Sequence, residues 1–245
     1  MKLLVCISNV PDTTAKITFT DDNTQLNTAG VQFILNPNDE ISLSKAVELA
    51  ENGKGSVTVI HVGEATSEPT IRKALAIGAD DAVRINSAPL DAYFTAAQIA
   101  EYAKDQNFDI IFTGQESIDY NGSAIGPMVA ELLNIPSVTN TKKLEVSGTN
   151  VSVERQIDAD KESIQVSTPV VICCSEGVAE PKIPNMRGIM SARTKPLSVI
   201  EPIEIKPFTG IVNYSTPAAG NPGKMLSTDE TAKLVELLHT EAKVI

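Results

Sequence analysis

Short apolar runs alternate with helical stretches through the first half of this 245-residue chain, and nothing else in it restricts the fold so tightly. Residues 2–8, 56–62, 81–85 and 108–113 are apolar and rich in β-branched side chains, the signature of strands buried on both faces. Between them the pattern predicts helices. One opens at Asn36-Pro37-Asn38-Asp39-Glu40 and runs to about residue 51, with Asn38 or Asp39 as its cap and Gly53 beyond its end. Others cover residues 68–77, with Gly78 as the stop, residues 91–105, and a stretch from Gly122 or Ser123 to Leu133. This alternation implies βαβ units: an α/β fold on a mostly parallel sheet with helices on both faces. Such sheets bind ligands beyond the carboxyl ends of their strands, here at residues 8–11, 62–64 and 113–117.

The second half departs from the alternation. Residues 142–146 and 151–158 flank the turn cluster Ser147-Gly148-Thr149-Asn150 and predict a β-hairpin; residues 162–167 and 169–174 predict two more strands. An extended segment punctuated by Pro181 and Pro184 then leads to Asn185-Met186-Arg187-Gly188, with Arg193 and Lys195 beyond. A domain of this size needs no such segment to fold. An exposed, soft Met186 tip followed by cations is what a protein presents to another protein. Prolines at 202, 207, 217 and 222 predict irregular chain up to an amphipathic helix over residues 228–242. The expected division is an α/β domain over residues 1–200, including a docking segment at 181–195, and a C-terminal extension over 201–245 that packs on its own domain or on a partner subunit.

Charge and composition narrow the function. A net charge of −11 disfavours nucleic acid as the main partner, and the lack of tryptophan disfavours a base-stacking platform. No apolar run approaches the ~20 residues of a membrane helix. The apolar start is too short for a secretion signal, so a soluble, cytoplasmic protein is expected. Cys6, Cys173 and Cys174 lack metal-ligand spacing and read as buried, reduced thiols. His61 ends a strand and reads as structural. No Ser/His/Asp set is visible, so the chain reads as a binding and docking protein without catalytic machinery of its own.

The densest polar stretch follows the fourth predicted strand: Gly114, Gln115, Glu116, Ser117, Ile118, Asp119, Tyr120, Asn121, Gly122, Ser123, Ala124 and Ile125, continuing into Gly126-Pro127. Free backbone N–H groups at the start of the next helix point above the sheet, glycines permit close approach, and Ser123 and Asn121 add polar groups. By spacing alone this is either a phosphate cradle or an ordinary strand–turn–helix connection. It matches neither a Walker sequence nor GxGxxG. The turn Asn36, Pro37, Asn38, Asp39 is a second polar helix start, open to the same two readings.

Several segments, in order, resemble the β subunit of electron transfer flavoprotein. They are Leu4-Val5-Cys6-Ile7 with Val10-Pro11-Asp12-Thr13, then Asn36-Pro37, Ala74-Leu75-Ala76-Ile77-Gly78-Ala79-Asp80 and Gly114-Gln115-Glu116-Ser117-Ile118-Asp119. Further on come Val153-Glu154-Arg155-Gln156-Ile157-Asp158 and Glu180-Pro181 leading to Gly188-Ile189-Met190-Ser191-Ala192. The resemblance implies an adenine nucleotide alpha hydrolase-like fold and a heterodimer with an α subunit that holds most of a redox-active FAD. It also implies a buried AMP at Cys6, Asn36 to Asp39, Val62 and Gly114 to Ile125. The partners it implies are acyl-CoA dehydrogenase-type flavoenzymes as donors and a membrane-linked quinone oxidoreductase as acceptor. The docking segment would comprise Pro184, Asn185, Met186, Arg187, Gly188, Ile189 and Met190, with the family's apolar anchor at Met186.

This chain departs from the family in places. Ser8-Asn9 replaces a usual Lys-Gln, Gln156 stands where an acid can pair with the mobile flavin domain, and the cations after the anchor thin to Arg193 and Lys195. Ile125-Gly126-Pro127 approaches the pattern of electron-bifurcating relatives, which hold a second FAD in place of AMP; AMP is the favoured occupant. A stand-alone nucleotide-binding stress or signalling module on the same scaffold is the contrasting class. It gives no reason for the docking segment or the long tail, and an ATP-using ligase would need glycines that Ser8-Asn9-Val10-Pro11-Asp12 lacks.

Overall fold

In a computed structural model that describes residues 1–245 apart from Asp21, Lys54, Ala219 and Asn221, the predicted strands of the first half all form. In chain order the first half comprises β1 (Lys2–Cys6), β2 (Asn9–Pro11), β3 (Phe33–Leu35), α1 (Pro37–Gly53), β4 (Ser56–Val62), α2 (Glu68–Ile77), β5 (Asp81–Ile85), α3 (Ala92–Ala103), β6 (Ile110–Gly114) and α4 (Ile125–Leu133). The second half adds β7 (Ser137–Ser147), β8 (Asn150–Ile157), β9 (Asp160–Ser167), β10 (Val170–Cys174), α5 (Met186–Ala192), β11 (Leu197–Ile200) and α6 (Thr231–Leu237).

Among the described residues, nine strands join one sheet in the order β11-β5-β4-β1-β6-β10-β7-β8-β9. From β11 to β7 neighbouring strands run parallel; β7, β8 and β9 form an antiparallel meander that extends the sheet. The parallel centre is apolar on both faces because helices cover both. Leu3, Val5 and Phe112 face the core shared with α1 and α2, whereas Leu4, Cys6, Ile60 and Ile111 face the core shared with α3 and α4. Each large side chain buried here stabilises the fold by about 1.5–3 kcal/mol.

The structure corrects several expectations. The helix expected from Gly122 or Ser123 begins at Ile125, because Asn121 and Ser123 sit at φ 51° and 47°, a left-handed conformation that no helix can include. The predicted hairpin and the two further strands of the second half all form, but the first strand, β7, begins at Ser137, five residues earlier than its pattern indicates. Three short strands escape the sequence pattern: β2 pairs antiparallel with β3, and β11 adds a parallel edge strand beside β5. The docking segment is extended only as far as Asn185. It then turns helical as α5, whose start is capped by the Asn185 side chain accepting from the Gly188 N–H at 2.9 Å.

The extension is fastened to the domain over its first part. Gln98 exchanges two hydrogen bonds with the Ile203 backbone, Phe208 stacks on Tyr93 at 4.0 Å between ring centroids, and Tyr214 stacks on Phe19 at 4.9 Å. The expected terminal helix is present as α6 followed by a π-helical turn, yet α6 buries no residue against its own domain.

Candidate functional site

The exits of β1 and β6 meet the start of α1 at one side chain. Asp39 is only 4% exposed; its Oδ2 accepts from the Ser8 N–H at 2.8 Å and its Oδ1 from the Gly114 N–H at 2.9 Å. One buried carboxylate therefore staples two strand exits to a helix start. The sequence suggested Asp39 as a helix cap; both its oxygens are instead spent on the backbone amides of Ser8 and Gly114. Burial pushes its pKa up to about 6, with the hydrogen bonds pulling the other way. Gly114 is required, since a Cβ there would lie 2.5 Å from Asp39 Oδ1.

The neighbouring asparagines hold the loop after β6. Asn36 Nδ2 and Asn38 Nδ2 both donate to the Glu116 carbonyl, at 2.9 and 3.0 Å, while Ser42 Oγ donates to the Thr113 carbonyl at 2.8 Å. The structure thus brings Asn36, Asn38 and Asp39 against Gly114, Glu116 and Ile118. Cys6 and Val62 lie at the ends of their strands on the α3 and α4 face, both buried. Burial, reinforced by Asp39, holds the Cys6 thiol far above its ordinary range, so it contributes as an apolar wall.

The loop itself turns partly inward. Asn121 Nδ2 and Ser123 Oγ, expected to face a phosphate, donate to the Glu116 carboxylate at 3.0 and 3.1 Å, and Ser117 Oγ donates to Asp119. What remains for a ligand is backbone. Among the described residues, the amides of Gly122, Ser123, Ala124, Ile125 and Gly126 have no partner within the chain. Beneath them the buried Thr113 hydroxyl also lacks a hydrogen-bond partner, and a Cβ on Gly126 would lie 2.8 Å from that oxygen and 2.3 Å from Cys173 Sγ. Unpaired amides above an unpaired hydroxyl suit an anionic or hydroxyl-rich ligand such as a nucleotide. The half-exposed Tyr120 and the carboxylates of Glu116 and Asp119 edge this cradle.

The second candidate region lies on α5. Met186 is 74% exposed and Met190 62%, with Ile183 beside them at 90%, so the helix displays an apolar tip. A groove of about 500 Å³ separates this helix from α2, lined by Pro69, Arg72, Lys73, Ala76, Ile189 and Arg193 among others. Gly188 faces α2 closely; a Cβ there would lie 2.4 Å from the Ala76 carbonyl oxygen.

The electron transfer flavoprotein domain family matches residues 23–205. Among relatives, the electron transfer flavoprotein subunit beta of Bacillus subtilis (strain 168) is 34% identical over the whole of both chains. The mitochondrial subunit beta of Oryza sativa subsp. japonica is 31% identical, again over both full lengths. The acryloyl-CoA reductase electron transfer subunit gamma of Anaerotignum propionicum is 32% identical over 97% of each chain. The chain belongs to the electron transfer flavoprotein family.

Within this electron transfer flavoprotein chain, some important residues carried no sequence signal. Thr113 and Ser42 are ordinary strand and helix residues until the fold opposes them. Lys195, read as a docking cation, is turned inward, its ammonium donating to the carbonyls of Leu75 and Ala79. His61 is buried and neutral as expected of a structural residue: its Nδ1 lies 2.8 Å from the Ile7 carbonyl, and burial lowers its pKa. Among the described residues no cluster of His, Cys, Asp and Glu could hold a metal ion, and no helix is long and apolar enough to cross a membrane.

Proposed function

We propose that this chain is the β subunit of a heterodimeric electron transfer flavoprotein, pairing with an α subunit that holds most of the FAD. In that role it buttresses the flavin-bearing partner, buries a structural AMP and presents a docking helix to donor dehydrogenases of the acyl-CoA type. A quinone-linked membrane oxidoreductase takes the electrons onward. FAD supplies the redox chemistry when bound; this chain serves as the electron-transfer subunit, without catalytic residues of its own.

The observation that carries this reading is the cradle of unpaired amides from Gly122 to Gly126 above the Thr113 hydroxyl, placed where β1 and β6 exit the sheet. Backbone donors would hold the phosphate, and Cys6 and Val62 would wall the adenosine. The α subunit has a place to grip: Val212 and Met225 of the extension are 86% and 95% exposed, and α6 has no buried residue. An apolar arm of this kind is a partner-binding surface. Met186 is the anchor of the dehydrogenase contact, an exposed soft side chain of the type that fills a partner pocket.

Denaturing the purified complex and counting released nucleotides tests the cofactor reading. One flavin and one AMP per heterodimer are expected; two flavins would assign the cradle to a second FAD, the arrangement that Ile125-Gly126-Pro127 resembles. A colourless protein without a second chain would instead favour a stand-alone nucleotide-binding module. Met186→Ala should raise the apparent KM for reduction by an acyl-CoA dehydrogenase by about tenfold or more, with FAD retained. Unchanged kinetics would remove Met186 as the anchor.

A further inference from the structure

The docking helix is short, carries exposed apolar side chains and lies on a crossover connection, so something must hold it in place. Two cations do so from opposite directions. Arg72 of α2 reaches across and donates through Nη1 to the carbonyls of Ala192 and Lys195, at 2.9 and 2.8 Å, while Glu68 on its own helix holds the guanidinium at 3.1 Å. Lys195, just past α5, reaches back and donates to the Leu75 carbonyl at 3.0 Å and to the Ala79 carbonyl. Each cation thus satisfies carbonyls at the C-terminal end of the other helix, where the orphan acceptors and the negative end of the dipole lie. Between the two links Gly188 lets the helices approach without a side chain between them.

We propose that Arg72 and Lys195 are positioning residues for partner docking, a reciprocal clamp that holds α5 formed and oriented before a partner arrives. The inference rests on the docking role given to Met186 above. Neither residue touches the partner's pocket in this scheme. They act by keeping Met186 in its presented position, so the partner need not order the segment on binding. Lys195 is committed to the clamp, which leaves Arg187 and Arg193, without ionic partners among the described residues, as the cations available beside the anchor.

The test uses the flavin-loaded heterodimer, reduced by an acyl-CoA dehydrogenase with its acyl-CoA, in variants Arg72→Met, Lys195→Met and Arg72→Lys. Arg72→Met and Lys195→Met should raise the apparent KM for the flavoprotein by about tenfold, one decade being the loss of a modest charge-assisted bond. The limiting rate and the flavin absorbance should not change. Arg72→Lys, which keeps a donor within reach of one carbonyl, should recover part of the loss. Amide hydrogen exchange at residues 187–192 should accelerate by about tenfold in both Met variants, a readout independent of any partner. Unaltered exchange in both variants overturns the clamp. Unaltered KM in both, with Met186→Ala still defective, also overturns its role in docking. If Met186→Ala leaves KM unchanged, the docking reading fails, and exchange alone then decides the clamp. A variant that does not fold leaves the other link to be scored.

Discussion

Asp39 offers the sharpest quantitative test, because its burial predicts a dependence on pH opposite to that of an ordinary carboxylate. Its pKa is raised by burial from 3.8 to about 6, which corresponds to about 3 kcal/mol between the two protonation states. A carboxyl whose pKa rises on folding binds protons more tightly in the folded state. The folded chain therefore holds more protons than the unfolded one between pH 3.8 and 6, and this group's contribution to stability falls as pH rises through that window. Asp39→Asn removes the ionisation while keeping the shape. One carbonyl oxygen can still accept from either Ser8 or Gly114, but the amide group then faces the other N–H, and a buried unmet donor costs about 1–3 kcal/mol. The prediction is a difference. Urea unfolding of wild type and Asp39→Asn is compared at several pH values, and the stability of the variant relative to wild type should rise by about 1 kcal/mol between pH 5 and 7.5. Every other titrating group cancels in that comparison. A constant difference across the range, or a fall with rising pH, would refute the assignment of Asp39 as a buried, strained staple.

Other expectations follow from the same geometry. Gly126→Ala should destabilise the fold by about 1–3 kcal/mol through contact with Cys173 Sγ and Thr113 Oγ1, and should weaken AMP retention measured by equilibrium dialysis; retained affinity would place the ligand elsewhere. Ending the chain after residue 214 should leave thermal stability of the isolated domain nearly unchanged, since α6 buries nothing, yet should abolish association with the α subunit in sedimentation or co-purification. A large fall in melting temperature would show that the arm packs on its own domain. Cys6, Cys173 and Cys174 should resist alkylation in the folded chain and react together on unfolding, because burial holds all three thiols protonated.

The parts of this fold that sequence made legible are those with long, buried periodicity. The strands at residues 56–62 and 81–85 and the helix at 68–77 have the bounds their patterns predict, since apolar runs bounded by Gly78 and Glu68-Pro69 leave little choice. Strands β2, β3 and β11 are three or four residues long and too short to show a period. Helix α5 was hidden by Pro181 and Pro184 just before it and by Gly188 within it, although Asn185 followed by Met, Arg, Met and Ala has the capping residue and the helix formers a short helix needs. In the candidate site, strand exits and polar turns could be chosen from position along the chain. The roles within it could not: whether Asp39 meets a ligand or the Ser8 and Gly114 amides depends on residues 31 and 75 positions away. The inward turn of Asn121 and Ser123 onto Glu116 is local, five and seven positions along the loop, but it depends on left-handed φ angles at both residues that no periodicity announces.

The path from β10 to β11 has a consequence for how such proteins can diversify. The crossover leaves the sheet beside β6 and rejoins it at the far edge beside β5, and both landing points are set by strand register, Cys174 opposite Gly114 and Leu197 opposite Ala82. The dehydrogenase-docking segment proposed above lies between those two landings, and no strand of the sheet passes through it. On the docking role proposed above, the exposed positions of residues 181–192 form an exchangeable cassette: they can be rewritten for a different electron donor while Gly188 keeps its approach to α2 and the sheet keeps its order. Change of clientele is thereby separated from maintenance of the fold.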